Sequence, residues 1–149
     1  MRQLFQRVSA VVFAVVSVAA QAESRFAFAN TPGKLPKHVV PREYSIHIVP
    51  DLSAFTFRGT EDITIDVLRP VRQIVLNANQ LEIDVASLRG AGAKPHSLQA
   101  QLDKDQQTLT FALPHVLDKG RYTLSIQYRG VINRAAQGLY YDRYKVGAA

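Results

Sequence analysis

The amino-acid sequence predicts an all-β domain, an antiparallel β-sandwich or saddle. The first observation is an alternation of apolar and polar residues over residues 55–67, broken only at Glu61, and again over residues 122–128. This is the pattern of strands that bury one face. The second is a series of shorter alternating runs separated by turn residues, which brings the expected total to about six or seven short strands. The third is that residues 23–149 contain no convincing stretch of the 3.6-residue helical period. Strands without helices indicate sheets packed around one core.

The first strands are predicted to form an antiparallel pair around residues 55–67. In this run the odd-numbered positions are expected to be buried and the even-numbered positions wet. Turn residues at 50–53 separate it from a shorter alternating run at 44–48. The apolar members of that shorter run are Tyr44, Ile46 and Ile48. Glu61 is the single charged residue on the odd face, and we expect it to lie near an end or edge of its sheet, in water.

Three further segments complete the predicted strands. A strand is expected at residues 73–77, and another at residues 81–85. On the second of these, the side chains expected to be half-buried are Leu81, Ile83 and Val85. Residues 98–102 and 109–113 alternate in the same way on either side of a polar bend, which predicts a β-hairpin.

Side-chain packing is expected to supply the stability, because the sequence contains no cysteine and so cannot form a disulfide. In the two best alternating runs, Ile65 and Ile126 are predicted to be core residues, whereas Thr64 and Ser125 are predicted to be wet. The formal net charge of +6 comes from basic residues that are scattered without any run. A nucleic-acid partner is therefore not expected.

Residues 1–22 have the features of a secretory signal peptide. Arg2 and Arg7 give a positive start, residues 8–20 form a short apolar run, and Ala20 and Ala22 are the small residues that precede a cleavage site. We therefore expect cleavage after Ala22 and export to the periplasm or the medium. The apolar run is shorter than the roughly 20 residues needed to span a bilayer, so no membrane anchor is expected after cleavage.

The remaining residues divide into three predicted parts. Residues 23–37 show neither period and contain turn-forming residues, which predicts an extended leader. Residues 38–132 are expected to form the β-sandwich domain. Residues 133–149 no longer alternate and are expected to form a loop or tail.

Several short motifs, in one order, resemble those of a known enzyme family. The motifs are Val-Val-Pro-Arg-x-Tyr at 39–44, Pro-Asp-Leu at 50–52, Phe-x-Phe-x-Gly at 55–59, Ile-Val-Leu-Asn-Ala at 74–78, Gly-Arg-Tyr-Thr-Leu at 120–124 and Gly-Leu-Tyr at 138–140. The set is similar to the start of the amino-terminal domain of zinc aminopeptidases of the aminopeptidase N family, which includes the puromycin-sensitive enzymes. The resemblance covers residues 35–144. It implies the same all-β fold.

The resemblance also implies that the chemistry of such an enzyme lies elsewhere. The family holds zinc with two histidines one helical turn apart and a glutamate between them, and it removes amino-terminal residues from peptides with a zinc-activated water. None of the four histidines here lies in such a motif; they are His38, His47, His96 and His115. The family's Gly-x-Met-Glu-Asn motif is also absent, since the initiator is the sole methionine. No catalytic, metal or cofactor-binding residue is therefore assigned.

The predicted function is that of a non-catalytic amino-terminal domain, a fragment that ends before the catalytic domain of an exported zinc aminopeptidase. The chain alone is not expected to be an enzyme, because it carries none of the family's catalytic residues. The catalytic domain of the parent enzyme is the expected partner. The alternative is a free-standing exported β-sandwich module that binds a peptide or a protein.

One cluster of side chains in the tail has functional promise. Leu139, Tyr140, Tyr141 and Tyr144 form an aromatic-rich segment, and exposed aromatic residues often mark contact surfaces. We predict that these four residues contact the catalytic domain of the parent enzyme. The alternative is that the loop packs on its own sandwich.

Overall fold

The computed structural model describes residues 31–136, 138–144 and 147. Every regular secondary-structure element in these residues is a β-strand. The predicted signal peptide at 1–22 and the first part of the predicted leader, residues 23–30, lie outside the described residues. The strands are β1 (Val39–Asp51), β2 (Thr56–Val67), β3 (Val71–Asn77), β4 (Leu81–Gly90), β5 (His96–Ser97), β6 (Ala100–Asp103), β7 (Thr108–Leu117) and β8 (Gly120–Val131). They all belong to one compact unit that begins at Pro32.

The strands form two antiparallel sheets. The larger sheet has the order β1-β2-β8-β4-β5, and the smaller sheet has the order β3-β7-β6. Every strand pair in both sheets is antiparallel. The predicted all-β antiparallel fold is therefore confirmed.

The strands are longer than the sequence pattern suggested. The described residues contain eight strands rather than six or seven, and β1, β2 and β8 are 13, 12 and 12 residues long. Two prolines made β1 difficult to predict, since proline cannot donate to a sheet ladder. Pro41 lies beside a β-bulge and Pro50 lies near the strand end, and β1 is an edge strand. These are the positions at which a sheet tolerates proline.

The core lies between the two sheets. Its largest fully buried side chains come from both layers and are Phe111, Ile63, Ile65, Ile74, Leu124 and Val67. The predicted burial of Ile65 and Ile126 is confirmed, because their side chains are 1% and 4% exposed. Thr64 and Ser125 lie on the opposite face and are partly exposed. The predicted hairpin is also confirmed, with β6 paired to β7.

Two glycines on β2 and β8 make room for aromatic rings. Gly59 is the ladder partner of Tyr128, and Gly130 is the ladder partner of Phe57. In each pair the ring lies over the glycine, and the two rings meet edge to face with centroids 6.3 Å apart. Rings that cover glycines of a neighbouring strand are a known way to stabilise a sheet. The Phe-x-Phe-x-Gly motif thus has a packing role in this structure.

The predicted orientation of β4 is wrong beyond Ile83. A register shift between Ile83 and Val85 breaks the alternation, so Val85 points to the outer face and is 52% exposed. Ala86 and Leu88 are buried in its place. A bulge adds one residue to a strand and reverses the faces that follow it.

Candidate interdomain surface

The tail folds back onto the end of β8 through backbone hydrogen bonds. The N–H of Asn133 donates to the carbonyl oxygen of Leu139 at 2.8 Å, and the N–H of Tyr141 donates to the carbonyl oxygen of Asn133 at 3.0 Å. Between them, Gly138 has a φ of 63°, a left-handed conformation that glycine adopts without steric cost. Glycine at this point of the Gly-Leu-Tyr motif therefore suits the reversal of the chain.

Tyr141 packs against the sandwich. Its ring packs on Phe55 with centroids 4.3 Å apart, and the Arg143 guanidinium lies 5.6 Å from the Tyr141 ring centroid. Phe55 itself has a φ of 52°, which is uncommon for a bulky residue. Its carbonyl oxygen accepts a hydrogen bond from the Ile132 N–H at 2.7 Å. The ring stack and this hydrogen bond hold Phe55 in a conformation that would otherwise be unfavourable.

The four predicted contact residues consequently do not form one surface. Tyr141 packs against the domain's own core, whereas Leu139, Tyr140 and Tyr144 expose large apolar side chains. The prediction of an interdomain contact therefore concerns the three exposed side chains. Tyr141 matches the alternative of a loop packed on its own sandwich.

A second apolar surface lies on β1, and sequence reasoning missed it. Tyr44, Ile46 and Ile48 pair with Ile63, Glu61 and Gly59 of β2, so they lie on the core side of the larger sheet. They are nevertheless 52%, 54% and 42% exposed. Val39 at the start of β1 packs against the core, but the three-stranded smaller sheet leaves this middle part of β1 uncovered. We call these three side chains the β1 strip.

Glu61 adjoins the β1 strip, and its predicted position at an end or edge of its sheet is wrong. It lies in the middle of β2, between β1 and β8, where its ladder partners are Ile46 and Ile126. Burial raises the pKa of the Glu61 carboxyl. Burial and then the nearby Glu61 carboxylate raise the pKa of Tyr44 and of Tyr128. A carboxylate so placed costs stability at neutral pH, because its charged form is partly desolvated.

The outer face of the larger sheet is mostly polar, with Val85 as an exposed apolar residue. A cavity of about 300 Å³ crosses it, and its lining includes Ser45, His47, Thr60, Asp62, Ser87 and Ser125. Hydroxyl groups and the Asp62 carboxylate can hold water or a small polar molecule. Nothing in this arrangement resembles a nucleophile activated by a hydrogen-bonded base, since no hydrogen bond joins His47 to a serine or to Asp62 in the structure.

An ion-pair cluster on the same face joins three strands. Arg42 Nε lies 2.7 Å from Asp66 Oδ2, and Arg121 Nε lies 2.8 Å from Asp66 Oδ1. Hydrogen bonds from Arg121 and then Arg42 lower the pKa of Asp66 to about 2. Arg121 belongs to the Gly-Arg-Tyr-Thr-Leu motif, so this motif also has a structural role.

Candidate metal ligands are dispersed over the domain. In the described part of the chain, no group of three or more His, Asp or Glu side chains is placed to hold a metal ion. His38 contacts Arg69, His96 belongs to β5 and His115 belongs to β7. No described helix is long and apolar enough to cross a lipid bilayer.

Comparison with known proteins places these features in a family. Residues 40–148 match the family model of the peptidase M1 N-terminal domain. The chain is 33% identical to Aminopeptidase M1-C of Oryza sativa subsp. japonica over 112 residues, which cover 75% of this chain and 12% of that protein. It is 37% identical to Aminopeptidase N of Acetobacter pasteurianus over 123 residues, which cover 83% of this chain and 34% of that protein.

A human protein matches a similar share of this chain. The chain is 32% identical to Endoplasmic reticulum aminopeptidase 1 of Homo sapiens over 116 residues, which cover 75% of this chain and 12% of that protein. The match therefore spans a small part of each relative.

Proposed function

Because the chain belongs to the family of peptidase M1 N-terminal domains, we propose that it acts as the non-catalytic amino-terminal domain of an exported zinc aminopeptidase. The family match carries this proposal. It begins at the second residue of β1 and extends beyond β8, so it includes every strand of the described sandwich. The signal-peptide pattern of residues 1–22 supports the export part of the proposal.

The proposed role of the domain is to support a catalytic domain. In the proposed enzyme, zinc would be held outside the described residues and would activate the water that attacks the first peptide bond. Leu139, Tyr140 and Tyr144 present apolar and aromatic side chains suited to a contact between domains. Such contacts typically bury about 600–1,500 Å².

A chimera tests the proposal. The segment of Aminopeptidase M1-C of Oryza sativa subsp. japonica that matches this chain would be replaced by residues 40–148. Release of nitroaniline from alanyl p-nitroanilide would then be measured. We expect the chimera to hydrolyse the substrate, because the grafted sandwich should present the same scaffold to the catalytic domain. A second chimera that carries an unrelated β-sandwich of similar length is the control.

The outcomes separate the two functional interpretations. A soluble chimera with the circular dichroism of a folded protein but without activity would contradict the proposal, and would favour a free-standing binding module.

A separate prediction concerns export. Mass spectrometry of the secreted protein should find Glu23 as the first residue. A secreted or membrane-bound chain that retains residues 8–20 would contradict export by cleavage.

A further inference from the structure

The free edge of β1 is the longest strand edge of the described domain. The other edge strands are β5, β6 and β3, with two, four and seven residues, whereas β1 has 13. No described strand pairs with the outer side of β1. An unpaired edge displays N–H and C=O groups that attract another strand, and proteins usually protect it with prolines, charges or bulges.

The protecting features of β1 lie only at its two ends. Pro41 and the register shift after it are at one end, and Pro50 is at the other. Between them, the core side carries the β1 strip of Tyr44, Ile46 and Ile48, all large and exposed. The middle of the edge therefore combines free backbone groups with an apolar row, which are the two features that favour strand addition.

We propose that the free edge of β1 pairs antiparallel with β1 of a second copy of this chain, around a two-fold axis at Ile46. Antiparallel partners directly opposite each other share a face, so Ile46 lies opposite its own counterpart in the second copy. Tyr44 then lies opposite Ile48, and the two β1 strips join in one apolar seam. On the other face, Ser45 lies opposite His47.

Charge and shape favour this register over its neighbours. With the axis at Ile46, Glu43 lies opposite Val49 and diagonal to both His47 and Asp51, and no like charges lie directly opposite each other. With the axis at His47, Glu43 would lie opposite Asp51, and facing like charges destabilise a sheet. With the axis at Ser45, Ile48 would lie opposite Arg42. The bulge turns Arg42 toward Asp66 on the other face, so Ile48 would have no apolar partner in the second copy.

The inference is independent of the proposed function. It requires only the edge of β1 and its side chains, and a pairing of this kind would join two five-stranded sheets into one continuous sheet. The seam would also cover apolar side chains that the three-stranded sheet leaves exposed. Two-fold symmetric contacts of this kind are the commonest form of protein dimer.

Sedimentation velocity of the purified chain over a range of concentrations tests the pairing. We expect a concentration-dependent species with twice the mass of the chain. Ile46→Lys places two ammonium groups at the axis and should raise the dimer dissociation constant roughly thirtyfold or more, as for a central interface residue. Val85→Lys is the matched control. Val85 is also β-branched and is 52% exposed, against 54% for Ile46, but it lies on β4 and on the outer face of the sheet, away from the proposed seam. It should leave the dissociation constant unchanged.

A cysteine variant tests the register separately. The chain has no cysteine, so Ile46→Cys introduces a single thiol. Directly opposite Cβ atoms in an antiparallel pair are about 4.5–5.5 Å apart, so mild oxidation should yield a disulfide-linked dimer rapidly, and Val85→Cys should not. A chain that is monomeric at every concentration would overturn the proposal. So would a dimer that is unaffected by Ile46→Lys, or slow β1 amide exchange in a monomer, which would show another occupant of the edge.

Discussion

Replacing Gly59 with alanine probes the closest packing between β2 and β8. A Cβ atom at position 59 would lie 2.4 Å from two ring carbons of Tyr128 and 2.8 Å from its hydroxyl oxygen. Non-bonded carbon atoms normally lie about 3.5–4.0 Å apart, so the ring would have to move by more than about 1 Å. The ring also packs edge to face on Phe57, which limits where it can go.

The expected magnitude follows from two opposing effects. Inserting a methyl group into a packed site typically costs about 1–3 kcal/mol. Replacement of glycine by alanine also restricts the unfolded chain, which recovers about 0.4–1 kcal/mol where the backbone is compatible. Gly59 is not in the left-handed region, so this second effect applies. We expect Gly59→Ala to lower the free energy of unfolding by about 1–2 kcal/mol.

Urea unfolding followed by circular dichroism measures this change. Gly33→Ala is the control, because its Cβ would lie 3.7 Å from the nearest atom, an ordinary contact, and its stability should be unchanged or slightly higher. In a Tyr128→Ala background the ring is absent, so Gly59→Ala should no longer destabilise the protein. If Gly59→Ala leaves the wild-type background as stable as before, the ring does not pack over Gly59 and the reasoning is refuted.

Three further predictions concern the core, the ion pairs and the tail. Ile65→Ala should lower the free energy of unfolding by roughly 2–5 kcal/mol and Thr64→Ala by much less, and urea unfolding that gives the reverse order would show inverted strand faces. The pKa of Asp66 is lowered to about 2, so its ion pairs stabilise the fold above about pH 4 and this stability is lost as the pH falls toward 2. Asp66→Asn should therefore be less stable than wild type at pH 6, with the difference vanishing near pH 2 in thermal melts; an equal difference at both would contradict the assignment. Phe55→Ala removes the ring stack and should accelerate hydrogen exchange at the Tyr141 amide, whereas unchanged exchange would show that the backbone bonds alone hold the tail.

Substitutions in the tail also test whether a catalytic domain covers it. Phe55→Ala should loosen Tyr141 without altering the exposed Leu139 and Tyr140 side chains directly. The two parts of the tail can therefore be perturbed separately, and the contribution of each to activity can be measured in the chimera. Loss of activity on changing Tyr140 alone would favour the interdomain role proposed for the exposed side chains.

The sequence by itself determined most of the strands and the fold class. Strand alternation is a local property, since neighbouring side chains of a strand point to opposite faces whatever the rest of the chain does. For this reason Ile65 and Ile126 were correctly placed in the core, and the hairpin of β6 and β7 was correctly predicted. The ordered motifs were likewise sufficient to indicate the family, because they can be read without knowledge of their contacts.

Only the tertiary structure decided which apolar faces are covered. The alternating pattern of Tyr44, Ile46 and Ile48 resembles that of the buried strands, but these side chains are exposed because the three-stranded second sheet leaves the middle of β1 uncovered. The bulge that turns Val85 outward and the central position of Glu61 likewise depend on strand pairing. Among the tail residues, Tyr141 is separated from Tyr140 by its stack on Phe55, a residue distant in sequence. Burial is a property of neighbouring layers, and a pattern along one strand carries no information about the width of the layer that packs on it.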